Sequence, residues 1–130
     1  MDFGTGTGVL AILAEKLGAH RILAIDNDDW SIANTRENLE KNNCSKVDLQ
    51  KADKATTGSV YDIILANINK NVILDNISLL TDQMTKKGIL LLSGLLEDDE
   101  KDIVKAAEAV QCTFLGKFVH NNWICLKFVR

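Results

Sequence analysis

The sequence predicts an α/β fold: a mostly parallel sheet with helices on both faces and an antiparallel C-terminal hairpin. Three observations carry this. Short β-branched or leucine-rich runs alternate with longer segments of helical period. The runs Ile63-Ile64-Leu65-Ala66 and Ile89-Leu90-Leu91-Leu92 are apolar throughout, as strands buried on both faces are. The runs from Thr113 to His120 and from Trp123 to Val129 are strand-like and joined by the polar pair Asn121-Asn122, the pattern of a hairpin.

The elements follow in order. Met1-Asp2-Phe3 reads as the stub of a first strand, because strands usually run about five or six residues and a glycine loop already starts at Gly4. The native protein is therefore expected to continue upstream of Met1. A first helix is expected from near Thr7 to Leu17, through Val9, Leu10, Ile12 and Leu13, with Gly18 as its C-terminal cap. A strand from Arg21 to Asp26 leads to a second helix from about Asp29 to Asn42. Asp28 or Asp29 caps it, and Ile32, Arg36 and Leu39 share one face. Strand-like Val47 to Lys51 and Tyr61 to Ala66 precede a third helix, about Val72 to Met84, with Ile73, Ile77, Leu80 and Met84 on one stripe. The strand from Ile89 to Ser93 and a fourth helix from about Asp98 to Ala109, with Ile103, Ala107 and Val110 inward, lead to the hairpin. Proline, linkers and repeats are absent, so residues 1–130 read as one domain.

Composition narrows the function classes. Hydrophobic residues make up 46% and charged residues 25%, an ordinary globular balance. No apolar run approaches the roughly 20 residues of a membrane-spanning helix, so no membrane partner is expected. The net charge of −3 lacks the basic face of a nucleic-acid binder. Cys44, Cys112 and Cys125 have neither zinc-ligand nor redox spacing, which reads as free thiols in a reducing cytoplasm.

The strongest motif is Asp2-Phe3-Gly4-Thr5-Gly6-Thr7-Gly8. Glycines permit a tight turn and close backbone approach to a ligand, and the loop opens into a helix N-terminus. Asp26 stands at the tip of the next strand, twenty residues after Gly6, where a carboxylate can accept hydrogen bonds from a ribose diol. Helix capping is the plainer alternative for Asp26, although Asn27 and Asp28 suit it better. Dinucleotide loops place their last glycine three residues after the middle one. Here Gly8 comes two after Gly6, and Asp2 precedes the loop. A carboxylate repels a pyrophosphate and attracts an ammonium group. Asp2, Gly4, Gly6 and Gly8 therefore favour S-adenosylmethionine over a dinucleotide as the cofactor.

Asp53 can reach an adenine amino group or cap a loop; both readings stand. Asn67 ends the Leu65-Ala66-Asn67 strand, and ligand crevices in open α/β sheets lie at such strand ends. Its amide carbonyl can accept from the N–H groups of an amine nucleophile and so aim the lone pair. A turn-forming asparagine is the alternative. Methyl transfer from a sulfonium needs alignment rather than a strong acid or a metal. In keeping with that, no Ser/His/Asp set and no metal-ligand cluster stands out, and His20 and His120 read as peripheral. Trp30 reads as a staple for the second helix in preference to a wall for the adenine ring.

Four segments together resemble a known family. Asp2-Phe3-Gly4-Thr5-Gly6-Thr7-Gly8-Val9-Leu10-Ala11-Ile12, Ala24-Ile25-Asp26-Asn27-Asp28, Leu65-Ala66-Asn67-Ile68 and Leu92-Ser93-Gly94-Leu95-Leu96-Glu97 are similar to the ribosomal protein L11 methyltransferases (PrmA). The first two are shared widely by class I methyltransferases; the last two are more particular. The resemblance implies a Rossmann-like three-layer sandwich with strand order 3-2-1-4-5-7-6 and cofactor contacts at Gly4, Asp26 and Asn67. It also implies N-methylation of lysine side chains and an N-terminal amine on a large-subunit ribosomal protein, which would be the partner. The family's upstream substrate-recruiting domain, and a threonine-bearing loop before the first strand, are expected to lie outside this chain. Asn67 is not followed by Pro-Pro and an aromatic, which tells against the adenine- and glutamine-methylating relatives. The competing readings are a methyltransferase acting on RNA or a small molecule, and a nucleotide-binding module without catalysis.

Overall fold

The computed structural model describes residues 1–54 and 56–130. It divides into two compact units, Met1–Asp53 and Lys54–Arg130.

In the first unit β1 (Asp2–Phe3), α1 (Val9–Lys16), β2 (Ile22–Asp26), α2 (Asp29–Lys41) and β3 (Val47–Lys51) follow one another. β1 and β3 both pair parallel to β2, giving the order β3-β2-β1. β2 is central and apolar, and Ile22, Leu23, Ala24 and Ile25 are all buried. Ala11, Ile22 and Ala24 form a core against which Ala14, Ala19, Val47 and Leu49 pack. α1 starts two residues later than the pattern suggests, because Gly8 is left-handed (φ 82°) and cannot join a right-handed helix. It stops as expected. Gly18 (φ 99°) donates to the Glu15 carbonyl and Ala19 to that of Ala14, which satisfies two otherwise orphaned acceptors. Asp28 caps α2, accepting from the Ser31 N–H at 2.8 Å.

In the second unit β4 (Tyr61–Asn67), α3 (Lys70–Asp82) and β5 (Met84–Leu96) lead through a 3-10 turn (Glu97–Asp99) to α4 (Glu100–Ala109), β6 (Thr113–His120) and β7 (Trp123–Val129). The order is β4-β5-β7-β6; β4 and β5 run parallel, while β7 is antiparallel to both β5 and β6. The two units thus hold the expected order in two parts. The hairpin occupies the expected residues, and Asn121 and Asn122 both take positive φ, 46° and 66°, as a two-residue turn between twisted strands requires. Ile64, Leu90, Leu92, Leu126 and Phe128 of the strands, with Ile73, Leu80 and Ile103 of the helices, are fully buried. The rings of Phe114 and Phe128 lie 5.5 Å apart at 52°.

Besides the start of α1, boundaries differ in this unit, and Met84, expected to close the third helix, is the first residue of β5. α3 begins two residues earlier, because the Asn69 side chain caps it through the Val72 N–H at 3.1 Å. α4 begins later, because residues 97–99 are spent in the 3-10 turn. β5 is far longer than Ile89 to Ser93. Between the pairs Tyr61↔Met84 and Ile63↔Ile89 the register shifts, and a second irregularity falls between Leu92 and Leu95. Among the described residues no helix is long and apolar enough to cross a membrane.

Candidate functional site

The glycine loop is built from the inside. Asp2 is 1% exposed. Its Oδ2 accepts from the Thr5 hydroxyl at 2.6 Å and from the Ala11 N–H at 3.1 Å, tying strand, loop and α1 together. Its Oδ1 is buried with no hydrogen-bond partner among the described residues. Burial pushes its pKa above the ordinary carboxylate value, against the pull of the Thr5 and Ala11 bonds.

Asp26 joins the same assembly. Its Oδ2 accepts from the Gly6 N–H at 2.8 Å, and its Oδ1 from the Asp28 N–H at 3.1 Å. Capping of α2 falls to Asp28, so Asp26 is left to brace the loop. Gly4 and Thr5 both donate to the Ile25 carbonyl at 2.9 Å, and Gly8 donates to the Thr5 carbonyl at 2.9 Å. The N–H groups of Gly4 and Gly6 are therefore committed to β2 and that of Gly8 to the loop itself. Gly6 has open space beside it, since a Cβ there would meet nothing within 4 Å, and it leaves room for a ligand to approach the backbone closely.

Two side chains of α2 complete the cradle, and sequence reasoning missed both. Thr35 donates to the Gly6 carbonyl and Asn38 to the Thr7 carbonyl, each at 2.8 Å. Thr35 is fully buried, and a Cβ on Gly8 would lie 2.9 Å from its Cγ2. The available signal was a polar residue at helical spacing between the inward Ile32 and Leu39.

Asp2, Gly4, Gly6, Gly8 and Asp26 are thus brought together. Asp53 is exposed in the bend after β3 and makes no hydrogen bond with them; the nearby Ala52 N–H donates to the Asp26 carbonyl. Trp30 is 66% exposed. It sits at the start of α2 on the solvent side, so the staple reading is corrected: an indole so open to water holds no helix against a core.

Asn67 belongs to the second unit. It is exposed at the end of β4, opposite Ser93 in register, and its side-chain amide has no hydrogen-bond partner among the described residues. It borders a cavity of about 430 Å3, whose lining includes Ser93, Gly94, Phe118, His120 and Trp123. His120 is on the surface as expected, yet it shares this cavity with Asn67. That placement is set by cross-strand pairing and is invisible to local spacing. No group of three or more His, Cys, Asp or Glu side chains among the described residues could hold a metal ion.

The profile of the family described as "Ribosomal protein L11 methyltransferase (PrmA)" matches residues 1–130. A ribosomal protein L11 methyltransferase of Porphyromonas gingivalis is 41% identical over 130 residues, covering 98% of this chain and 45% of that protein. One from Chlorobaculum tepidum is also 41% identical, covering 95% and 45%. The chain therefore spans about half the length of these curated relatives. The crystal structure of ribosomal protein L11 methylase from Lactobacillus delbrueckii subsp. bulgaricus superposes with a TM-score of 0.95 at 34% identity, covering 99% of this chain and 68% of that one.

Proposed function

The chain belongs to the ribosomal protein L11 methyltransferase family, and from that membership we propose that it is the catalytic domain of a cytoplasmic, S-adenosylmethionine-dependent protein N-methyltransferase. Its acceptors are lysine and N-terminal amines of a large-subunit ribosomal protein, which the relatives' name gives as L11.

The observation that carries this reading is the Asp2 carboxylate, buried at the loop with one oxygen unpartnered. An unsatisfied buried acceptor costs about 1–3 kcal/mol. A cationic amino group would satisfy it; a pyrophosphate would be repelled. The residues present thus fit an amino-acid-bearing nucleoside better than a dinucleotide. Asp2 would hold the amino group, Gly4, Gly6 and Gly8 would admit the ligand close to the backbone, and Asp26 has acceptor capacity left for a ribose diol. Asp53 is assigned to the adenine side.

S-adenosylmethionine, when bound, supplies a sulfonium-activated methyl group and leaves as a neutral thioether. The work left to this chain is alignment of the acceptor. A lysine must first lose a proton, which from a pKa of about 10.4 costs about 4 kcal/mol at pH 7.5; desolvation offsets much of this. Asn67 then accepts from a remaining N–H and aims the lone pair.

Calorimetric titration with S-adenosylhomocysteine and with NADH tests the cofactor. Binding of the first is expected, and Asp26→Ala, which frees the Gly6 N–H, abolishes it. Binding of NADH alone overturns the reading. Incubation of the full-length protein with ribosomal proteins and RNA tests the acceptor, and methylated RNA beside unmodified protein refutes the protein substrate.

A further inference from the structure

One face of α2 is polar where a packed helix is ordinarily apolar. Ser31, Thr35 and Asn38 recur at i, i+4 and i+7, so they share that face. Ser31 and Thr35 are buried. A buried hydroxyl is costly unless it is hydrogen-bonded, so its partner matters. Two of these side chains direct their donors at the glycine loop. The Thr35 hydroxyl donates to the Gly6 carbonyl and the Asn38 amide to the Thr7 carbonyl, each at 2.8 Å.

Gly6 is thereby held from two elements. Its N–H donates to Asp26 at the end of β2, at 2.8 Å, and its carbonyl accepts from Thr35 of α2. Between these ties it keeps φ 58°, a left-handed conformation that glycine leaves as readily as it enters. Packing beside its Cα does not hold it there, since a Cβ at Gly6 would meet no atom within 4 Å. Gly8 is held by shape. A Cβ there would lie 2.9 Å from Thr35 Cγ2, so the methyl group of Thr35 fills the space beside Gly8 while its hydroxyl ties Gly6. Asn38 fixes the peptide that joins Thr7 to Gly8. Both peptides after Gly6 thus turn their carbonyls toward α2, and a trans peptide then aims the Thr7 N–H away from that helix.

We propose that Thr35 and Asn38 are positioning residues for the cofactor: acting through the glycine loop and not on the ligand, they hold Gly6 and the two peptides after it in the conformation that admits an amino-acid-bearing nucleoside. The proposal rests on the loop being the S-adenosylmethionine site, as argued above. Asp26 gives the ties from α2 their purpose. Its carboxylate braces Gly6 and, in that reading, also serves the ribose diol, so the ligand draws on the group that holds the loop. Thr35 and Asn38 keep the loop in place when that carboxylate is shared.

The test uses the full-length protein. Calorimetry gives the affinity for S-adenosylhomocysteine, and hydrogen exchange by NMR follows the Gly6 and Gly8 amides. Losing one tie lowers the fraction of molecules with the loop in place, and apparent affinity falls by that fraction. Thr35→Val keeps the shape and loses the hydroxyl; Thr35→Ser keeps the hydroxyl and loses the methyl. Thr35→Val and Asn38→Ala are each expected to weaken S-adenosylhomocysteine about fivefold, and Thr35→Ser to stay within about twofold of the wild type. The KM for S-adenosylmethionine should rise by the same factor as affinity falls, while kcat at saturating cofactor stays within about twofold, because the bound ligand restores the loop. In the free variants the Gly6 and Gly8 amides should exchange faster, and saturating S-adenosylhomocysteine should return them to wild-type rates. Asn38 is half-buried, so Asn38→Ala carries the test if Thr35→Val does not fold. Wild-type affinity in Asn38→Ala or in a folded Thr35→Val overturns the proposal. So does an equal loss in Thr35→Ser, which marks a packing effect, or a fall in kcat without a rise in KM. A wild-type protein that does not bind S-adenosylhomocysteine refutes instead the reading of the glycine loop.

Discussion

Gly8→Ala probes the cradle at its tightest point. Gly8 holds φ 82°, a conformation that costs an L-residue about 1–2 kcal/mol. The new Cβ would sit 2.9 Å from Thr35 Cγ2 and 3.3 Å from its Oγ1. Thr35 is fully buried, and turning it away breaks its 2.8 Å bond to the Gly6 carbonyl, a loss of about 1 kcal/mol. The two contributions sum to a destabilisation of about 2–3 kcal/mol, within the usual range for overpacking. Urea titration followed by pulsed hydrogen exchange of peptides from residues 1–53 reads the transition of this unit by itself. The contact is isolated by repeating the substitution in a Thr35→Ser background, which removes Cγ2 and keeps the hydroxyl. There the Gly8→Ala penalty should shrink to the conformational part, about 1–2 kcal/mol. An equal penalty in both backgrounds, or one below about 0.5 kcal/mol in the first, would refute the packing argument.

Asp2 and Asp28 give further expectations. Burial raises the Asp2 pKa in the folded state, so folding favours its protonated form. That contribution to stability is complete below the ordinary value of 3.8 and is lost as pH rises through the folded pKa. Asp2→Asn should therefore gain stability relative to the wild type as pH rises from about 4 to 7, while binding S-adenosylhomocysteine more weakly; urea midpoints across that range and calorimetry check both signs. Asp28→Ala removes the cap on the Ser31 N–H and should cost about 1 kcal/mol of stability, readable as a lower urea midpoint with an unchanged m-value.

Legibility from sequence followed the physics of each signal. The hairpin was readable to its end residues, because strand alternation and a two-asparagine turn are both local. The order of strands within each unit came from the family resemblance, whereas the convergence of Asp2, Asp26 and the glycines was readable because each sits at a strand end whose direction the pattern fixes. The start of α1 was not, since the handedness of Gly8 is a backbone choice that composition leaves open. Nor was the bulge at Ser93 and Gly94: an extra residue in one strand shows only once its partner is in place. The placement of His120 and Trp123 on one cavity with Asn67 was hidden for the same reason, because cross-strand neighbours carry no sequence spacing. Trp30 failed on burial, which an indole beside a helix start does not guarantee.

The closed hydrogen bonding of the glycine loop has a consequence for affinity. Segments rich in glycine ordinarily lose much freedom when a ligand freezes them. Here Gly4, Thr5, Gly6 and Gly8 are already anchored through their own amides, and the carbonyls of Gly6 and Thr7 are pinned from α2. The binding surface is preorganised, so a ligand arriving at it meets a shape already set, and little of its interaction energy is diverted into ordering the chain.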